Sequence, residues 1–285
     1  MNDLFLLGTK GGPAVRTGGS MPTSSLLRIA DQVIVIDCGI GVTRAIVNAG
    51  VTLMDVDAIF ITHLHSDHIL ELGPLLHTAW TTGLKRKIQV FGPVGTNDYL
   101  DHFLQSMTFD NDIRVRDEGR IPLDTLIEVS IFTQGSLPDI GGINVDALRV
   151  DHPPVTDCFA LRFEADDIRV VFSADTAYFP SLAEFARNAD VLVHEAMLLE
   201  AVDALVARTG NADRLKQHLL ASHTAAADVA RIARDANVKH LCLNHLIPAD
   251  DPQYSPADFI AQIKTVWNGE VTVGYDGCRI DLAPD

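Results

Sequence analysis

The stretch FITHLHSDHILELG, from Phe60 to Gly73, decides how this chain folds and what chemistry it can hold. An apolar run ends at Thr62, and His63, His65, Asp67 and His68 follow before helical spacing begins. Imidazole nitrogens and carboxylates are the ligands that zinc and other borderline divalent ions take, and a strand-to-helix turn aims sequence neighbours at two adjacent points. A spacing of two puts His63 and His65 on one side of the extended chain, while Asp67 and His68 project after the turn. One metal could sit on each pair. The alternative is a polar loop with coincidental histidines.

Short apolar runs and helical patterns alternate on both sides of this stretch, which predicts mixed α and β structure. Strands are expected near Leu4, over Ser25 to Ala30, Val33 to Asp37, Ala58 to Thr62 and Ile88 to Phe91. Helices are expected over Val42 to Asn48, stopping at Gly50, after Ser66, and across Asn97 to Met107. From Leu126 the runs LIEVSIF, INVDALRV, CFALRFE and IRVVFS follow closely enough to predict an antiparallel meander. Ala225 to Asp235 reads as an amphipathic helix that leads into the strand KHLCLN, Lys239 to Asn244. Two halves, each strands first and helices after, predict two sheets face to face with helices outside. No linker separates them, so residues 1–285 read as one domain.

Composition bounds the function. The 285 residues are 47% hydrophobic and 21% charged, which excludes disorder. With 38 acidic and 22 basic side chains the net charge is −16, which argues against a protein built to hold a nucleic-acid backbone. Cys38, Cys158, Cys242 and Cys278 lie far apart and read as reduced thiols of an intracellular protein. The start MNDLFLLGTKGG lacks the features of a signal peptide, and no run approaches the roughly 18 apolar residues of a membrane span. A soluble, cytoplasmic protein without membrane partners is expected.

Three more candidate ligands follow strands: His152 after INVDALRV, Asp175 in SADT, and His245 in NHLIP. Each has an ordinary alternative, as a loop histidine, a turn-forming helix cap and a half-buried core histidine. Asp37 is either an acceptor behind a ligand histidine or a strand end. Trp80 lines a pocket mouth or lies in the core. His77, His102, His194, His218 and His240 have no such spacing and default to surface or packing roles.

HLHSDH, with His152, SADT and His245 behind it in order, resembles the metallo-β-lactamase fold superfamily. FLLGTKGGP near the N-terminus, IDCGIG at Ile36 to Gly41, VHEA at Val193 to Ala196 and SHTAAADVARIA at Ser222 to Ala233 narrow the likeness to its ribonuclease Z and arylsulfatase-like branch. The resemblance implies an α/β, four-layer αββα sandwich. It implies one zinc ion on His63, His65 and His152, a second on Asp67, His68 and His245, and Asp175 bridging the two. Five neutral imidazoles and two carboxylates would leave two dications with net positive charge, lowering the pKa of a shared, bridging water toward neutrality. His223 would then act as proton donor or substrate contact with Glu195 beside it, unless Ser222-His223-Thr224 is only a polar helix start. A homodimer is left open by the resemblance.

The chain departs from ribonuclease Z in ways that bear on substrate. It has no long arm rich in glycine and basic residues, and Lys85-Arg86-Lys87 is too short for an RNA groove. Where that family has a serine and an arginine after the last histidine, this chain has Leu246 to Asp250, and Asp250 with Asp251 would repel a polyanion. The expected activity is therefore zinc-dependent hydrolysis of a small molecule, a sulfate ester, phosphodiester, lactone or cyclic amide, made partly hydrophobic by Leu70, Leu76, Trp80, Ile247 and Pro248. The alternative is tRNA 3′ processing. An inactive scaffold is disfavoured by the intact ligand set, and a di-iron redox role by His65.

Overall fold

The computed structural model describes residues 2–209 and 214–282. Among these, fourteen strands form two seven-stranded sheets. The first has the order β14 (Cys278–Asp281), β1 (Asp3–Gly8), β2 (Ser24–Ile29), β3 (Gln32–Ile36), β4 (Ala58–Phe60), β5 (Ile88–Gly92) and β6 (Ile127–Ile131). The second has the order β13 (Glu270–Val273), β12 (His240–Ile247), β11 (Val191–Met197), β10 (Ile168–Phe172), β9 (Phe159–Ala165), β8 (Asn144–Arg149) and β7 (Gly135–Ser136).

Sequence dictates these layers directly. Every residue of DLFLLG in β1 and VLVHEAM in β11 is buried, because a strand covered on both faces needs side chains that tolerate burial at every position. Between the sheets lies a core in which Leu6, Leu27, Phe60 and Phe91 meet Phe159, Phe163, Phe172 and Val193. Phe60 stacks on Phe91 with ring centroids 4.6 Å apart and meets Phe163 edge-on at 5.1 Å. Outside the first sheet pack α1 (Val42–Asn48), α3 (Leu72–Thr82) and α4 (Thr96–Ser106), with the short α2 (Ser66–Ile69) leading into α3. Outside the second pack α6 (Ser181–Phe185), α9 (Ala226–Ala236) and α10 (Pro256–Lys264). The remaining helices are α5 (Thr108–Glu118), α7 (Val202–Thr209) and α8 (Leu215–Ser222). The result is the expected four-layer αββα sandwich.

Local signals explain several boundaries. In α9, Ala226, Val229, Ala230, Ala233 and Ala236 recur at helical spacing and are buried, and Asn237 ends the helix in the left-handed conformation at φ 53°. A capping box of Ser255 and Asp258 with Pro256 at the first position starts α10. The Glu71 carboxylate accepts the N–H groups of Gly41 at 2.5 Å and Thr43 at 3.0 Å, a negative charge at the positive end of α1.

Two expectations need correction, the place of LIEVSIF in the meander and the placing of Leu76 and Trp80 at a pocket mouth. LIEVSIF is not the first strand of the meander: β6 runs parallel to β5, pairing Ile88 with Ile127, because the intervening helices α4 and α5 carry the chain back in the same direction. Only β8, β9 and β10 form the antiparallel run. No residue of α5 is buried, so no apolar stripe announced it. Trp80 and Leu76 are buried, Trp80 against Leu123 and Leu126 with its Nε1–H donating to the Ile121 carbonyl at 2.8 Å. No helix is long and apolar enough to cross a membrane among the described residues.

Phe60→Ala is expected to cost about 3–5 kcal/mol, because the space between the sheets cannot collapse. Phe109→Ala on α5, where the side chain is 81% exposed, should change stability by less than about 0.5 kcal/mol. Urea denaturation of both variants checks this contrast.

Candidate metal centre and its cleft

The candidate residues collect where strands of both sheets give way to loops. His63 and His65 follow β4, Asp67 and His68 lie on α2, His152 follows β8, Asp175 follows β10, and His245 lies near the end of β12. Three non-glycine residues there have left-handed backbones: Asp37 at φ 61°, Ala174 at 55° and His245 at 41°. Such conformations cost of order 1–3 kcal/mol each and persist where the surroundings over-determine them.

The structure gathers these side chains into two groups. His63, His65, His152 and Asp175 form one, and Asp67, His68, Asp175 and His245 the other, with the potential ligand atoms of each group all within 4.8 Å of one another. Asp175 belongs to both. In the first group His65 Nδ1 lies 3.1 Å from His63 Nε2 and 3.2 Å from His152 Nε2. Four ligands around an ion at Zn–N distances of about 2.0–2.1 Å would stand roughly 3.3 Å apart, so this spacing suits a metal.

Tautomers point the same way. His68 Nδ1–H donates to Asp37 Oδ2 at 2.7 Å, which leaves a buried Nε2 with no hydrogen-bond partner, aimed at Asp67 and Asp175. His152 Nδ1–H donates to the Ser222 carbonyl at 2.9 Å and so turns its Nε2 lone pair inward. Thr62 gives its hydroxyl proton to Asp37 at 2.9 Å, so at 3.1 Å it accepts from His63 Nδ1–H. Each outer partner fixes a ring and raises its basicity, as groups behind metal ligands do. The donor set fits borderline divalent ions.

Electrostatics shows what the groups demand. Burial alone would raise the Asp67 carboxyl, yet His68 and His245 outweigh it and hold Asp67 well below the usual range; Asp175 is depressed in the same way. Burial opposes charge on His245, but Asp175 and Asp67 push it up to about 10. His68 is likewise raised, against burial, by Asp175, Asp37 and Asp67. His63 is lowered by burial and then by His68, and His65 by burial and then by His152. Without metal, two imidazolium rings supply the positive charge that Asp67 and Asp175 need.

His223 and Glu195 stand beside this cluster. Glu195 Oε2 lies 2.9 Å from His223 Nδ1, and Oε1 accepts the Thr176 N–H at 2.6 Å. The His223 ring stacks on His245 at 5.3 Å. Asp37 is the acceptor behind His68, one of the two roles open to it from sequence. His77, His102, His194 and His240 have partners elsewhere, namely Asp110, the Asp98 carbonyl, the Glu195 carbonyl and Thr272. His218 departs from its default, because it lines the cleft over the cluster.

That cleft has a volume of about 440 Å³. Its walls include Lys10 to Pro13 and Arg16 on one side, Leu205, Arg208, Leu215 and Leu219 on another, and Ile247 to Asp250. Ile247 and Pro248 line it as expected, whereas Leu70, Leu76 and Trp80 do not. Asp250 is paired with Lys10 and lies 3.6 Å from Arg16, and Asp251 lies 3.0 Å from Arg208. The two acids expected to repel a polyanion are thus compensated. Gly12 donates its N–H to Asp67 Oδ2 at 2.9 Å, and a Cβ at Gly11 would stand 2.6 Å from Ile247 and 2.9 Å from His245. The KGGP string is therefore a close approach of backbone to the site. Carbonyl and backbone partners such as Ser222 O carry no side-chain signature, and Lys10, Arg16 and Arg208 stand too far apart in sequence to read as one rim.

A family model described as Anti-Pycsar protein Apyc1 matches residues 2–223. A curated protein named ribonuclease Z from Mycobacterium bovis (strain BCG / Pasteur 1173P2) is 31% identical over 287 residues, covering 100% of this chain and 99% of the relative. The solved metallo-β-lactamase fold protein YhfI from Bacillus subtilis superposes with a TM-score of 0.72 at 24% identity, covering 99% of this chain and 100% of that one. Human tRNase Z, short form, superposes with a TM-score of 0.70 at 20% identity, covering 99% and 100%.

Chelator-treated protein should show a pH dependence set by these groups. His68 and His245 bind protons more tightly folded than unfolded, so their contribution is full below about pH 6.5 and is lost as pH rises above it, for His245 through about 10. Asp67 and Asp175 contribute above their unfolded value of 3.8 and lose that contribution as pH falls below it. Thermal unfolding should therefore give a Tm that falls between about pH 7 and 10. A flat or rising Tm across that window contradicts the charge assignment.

Proposed function

The chain belongs to the family described as Anti-Pycsar protein Apyc1, within the ribonuclease Z-like branch of the metallo-β-lactamase superfamily, and on that premise we propose a binuclear zinc hydrolase that cleaves small phosphodiesters, open or cyclic. The observation that carries this reading is the pair of donor groups sharing Asp175 beneath one cleft. His63, His65 and His152 would hold one ion, Asp67, His68 and His245 the second, and Asp175 both. When bound, such ions supply a nucleophile from water at neutral pH and polarise the oxygen of the bond under attack.

The protein's own groups do the rest. Asp67, braced by the Gly12 N–H, would hold an ion on the attacking side of the site. Glu195 accepts from His223 Nδ1–H, so a doubly protonated His223 ring would give its Nε2–H proton to the departing oxygen and return to the neutral form with Nδ1–H still held by Glu195. Arg16 and Arg208, with side chains 42% and 36% exposed, rim the cleft with donors to spare and favour an anionic substrate. Cleft volumes of this order suit a small molecule rather than an RNA duplex. The core shared by both sheets supports one hydrolase domain over residues 1–285. Four free, buried cysteines favour a reducing compartment such as the cytoplasm.

A second reading stands on the ribonuclease Z relative, alike over its whole length: phosphodiester hydrolysis in precursor tRNA. Overall charge of −16 weighs against it, while the compensated Asp250 and Asp251 remove one local objection.

Elemental analysis should give close to two equivalents of zinc. His63→Ala should lose metal and activity together, Asp67→Ala should cost activity more than folding, and folded, active protein without metal sinks the mechanism. For His223→Ala, kcat should fall about 10²–10⁴-fold with metal retained. A panel of chromogenic phosphodiester, sulfate ester, lactone and β-lactam substrates, with precursor tRNA, decides the substrate class. Efficient tRNA 3′ processing replaces the small-molecule reading with the second one.

A further inference from the structure

His218 lies on α8, half-buried, with its ring centroid 6.0 Å from that of His223, 6.3 Å from His152 and 6.4 Å from His65. Among the described residues it is the histidine that lines the cleft without belonging to a donor group or to the His223–Glu195 pair. Ser222, one turn further along, settles its tautomer. The Ser222 hydroxyl donates its single proton to the Pro153 carbonyl at 2.5 Å, so toward His218 Nδ1, 3.4 Å away, it can only accept. His218 therefore carries its proton on Nδ1 and keeps Nε2 as a hydrogen-bond acceptor. The neighbouring wall carries Leu205, Leu215 and Leu219 together with Arg208, a donor only, and Thr209, whose hydroxyl donates to the Leu205 carbonyl at 3.0 Å. An imidazole acceptor set beside three leucines is the kind of placed polar group that sets specificity in small-molecule sites.

We propose that His218 is a specificity-determining residue of this cleft, its Nε2 accepting a hydrogen bond from a hydroxyl that the substrate carries beside the scissile phosphoryl group. The inference rests on the phosphodiester reading and narrows it to hydroxyl-bearing esters. Substrates without that hydroxyl leave the acceptor unpaired in a desolvated cleft, and the penalty falls on binding. Because Ser222 also holds His152 through its carbonyl, His218 keeps a fixed position relative to the metal groups.

The test is equilibrium binding of two probes of matched carbon skeleton, glycerol 1-phosphate and n-propyl phosphate, to zinc-loaded protein. Wild type should prefer glycerol 1-phosphate by about fivefold, the scale of one neutral hydrogen bond. His218→Leu should abolish the preference while leaving propyl phosphate affinity and metal content unchanged, and His218→Gln, which can place an amide oxygen near the same point, should retain it. In ¹⁵N-resolved spectra of the wild type, the unprotonated Nε2 resonance of His218 should move with glycerol 1-phosphate only. Equal affinities in wild type, a preference that survives in His218→Leu, or parallel loss of both ligands each overturns the proposal. Failure of the phosphodiester reading would appear separately, as no turnover of the phosphodiester panel, since the binding comparison needs no reaction.

Discussion

Asp175 is a buried carboxylate with imidazole nitrogens at 3.1 Å from His245, 3.4 Å from His68, 3.8 Å from His63 and 3.9 Å from His152. Two of those rings come from the first sheet's side and two from the second, so one negative charge draws both halves of the sandwich together. Burying an uncompensated carboxylate is far costlier than any surface ion pair is worth. The surrounding architecture follows from keeping that charge matched. Histidines must arrive from strand ends at one edge, and each needs an outer partner to turn its free lone pair toward the same carboxylate.

That requirement explains features that look local. Asp37, Ala174 and His245 adopt left-handed backbones because the chain must turn sharply out of a strand to present a side chain at the edge. Gly11 lies where a side chain would strike His245 and Ile247, so the loop after β1 can close over the metal groups only with glycine there. The same loop brings Lys10 to Asp250, which fastens the segment after β12 to the N-terminal strand.

Much of this was legible in the residues. The HxHxDH string and the three strand-end candidate ligands mark positions where an ionisable side chain interrupts an apolar run, a conflict that stands out against burial. Val42 to Asn48 was legible because its apolar spacing and following glycine agree. Other features were not. The pairing of β6 depends on what lies between it and β5, and α5 buries nothing that periodicity could reveal. The placement of His218 in the cleft depends on where α8 packs, and the outer partners Thr62 and Ser222 act through a hydroxyl and a carbonyl that any loop can offer. The repulsion read from Asp250 and Asp251 did not allow for their partners, because the string after His245 does not show that Lys10 and Arg208 stand beside them.

The two proposed metal groups start in the same string and share Asp175 but are completed at different points along the chain, and that imposes an order on synthesis. Every residue of the first group has been made once Asp175 is in the chain, whereas the second needs His245 together with a strand, β12, that pairs between β11 and β13. A nascent chain could therefore offer an ion one group of donors while Asp67 and His68 still lack His245. A second ion would have no complete seat until nearly the whole polypeptide is out, which would make occupancy of that seat a report on completed assembly of the second sheet.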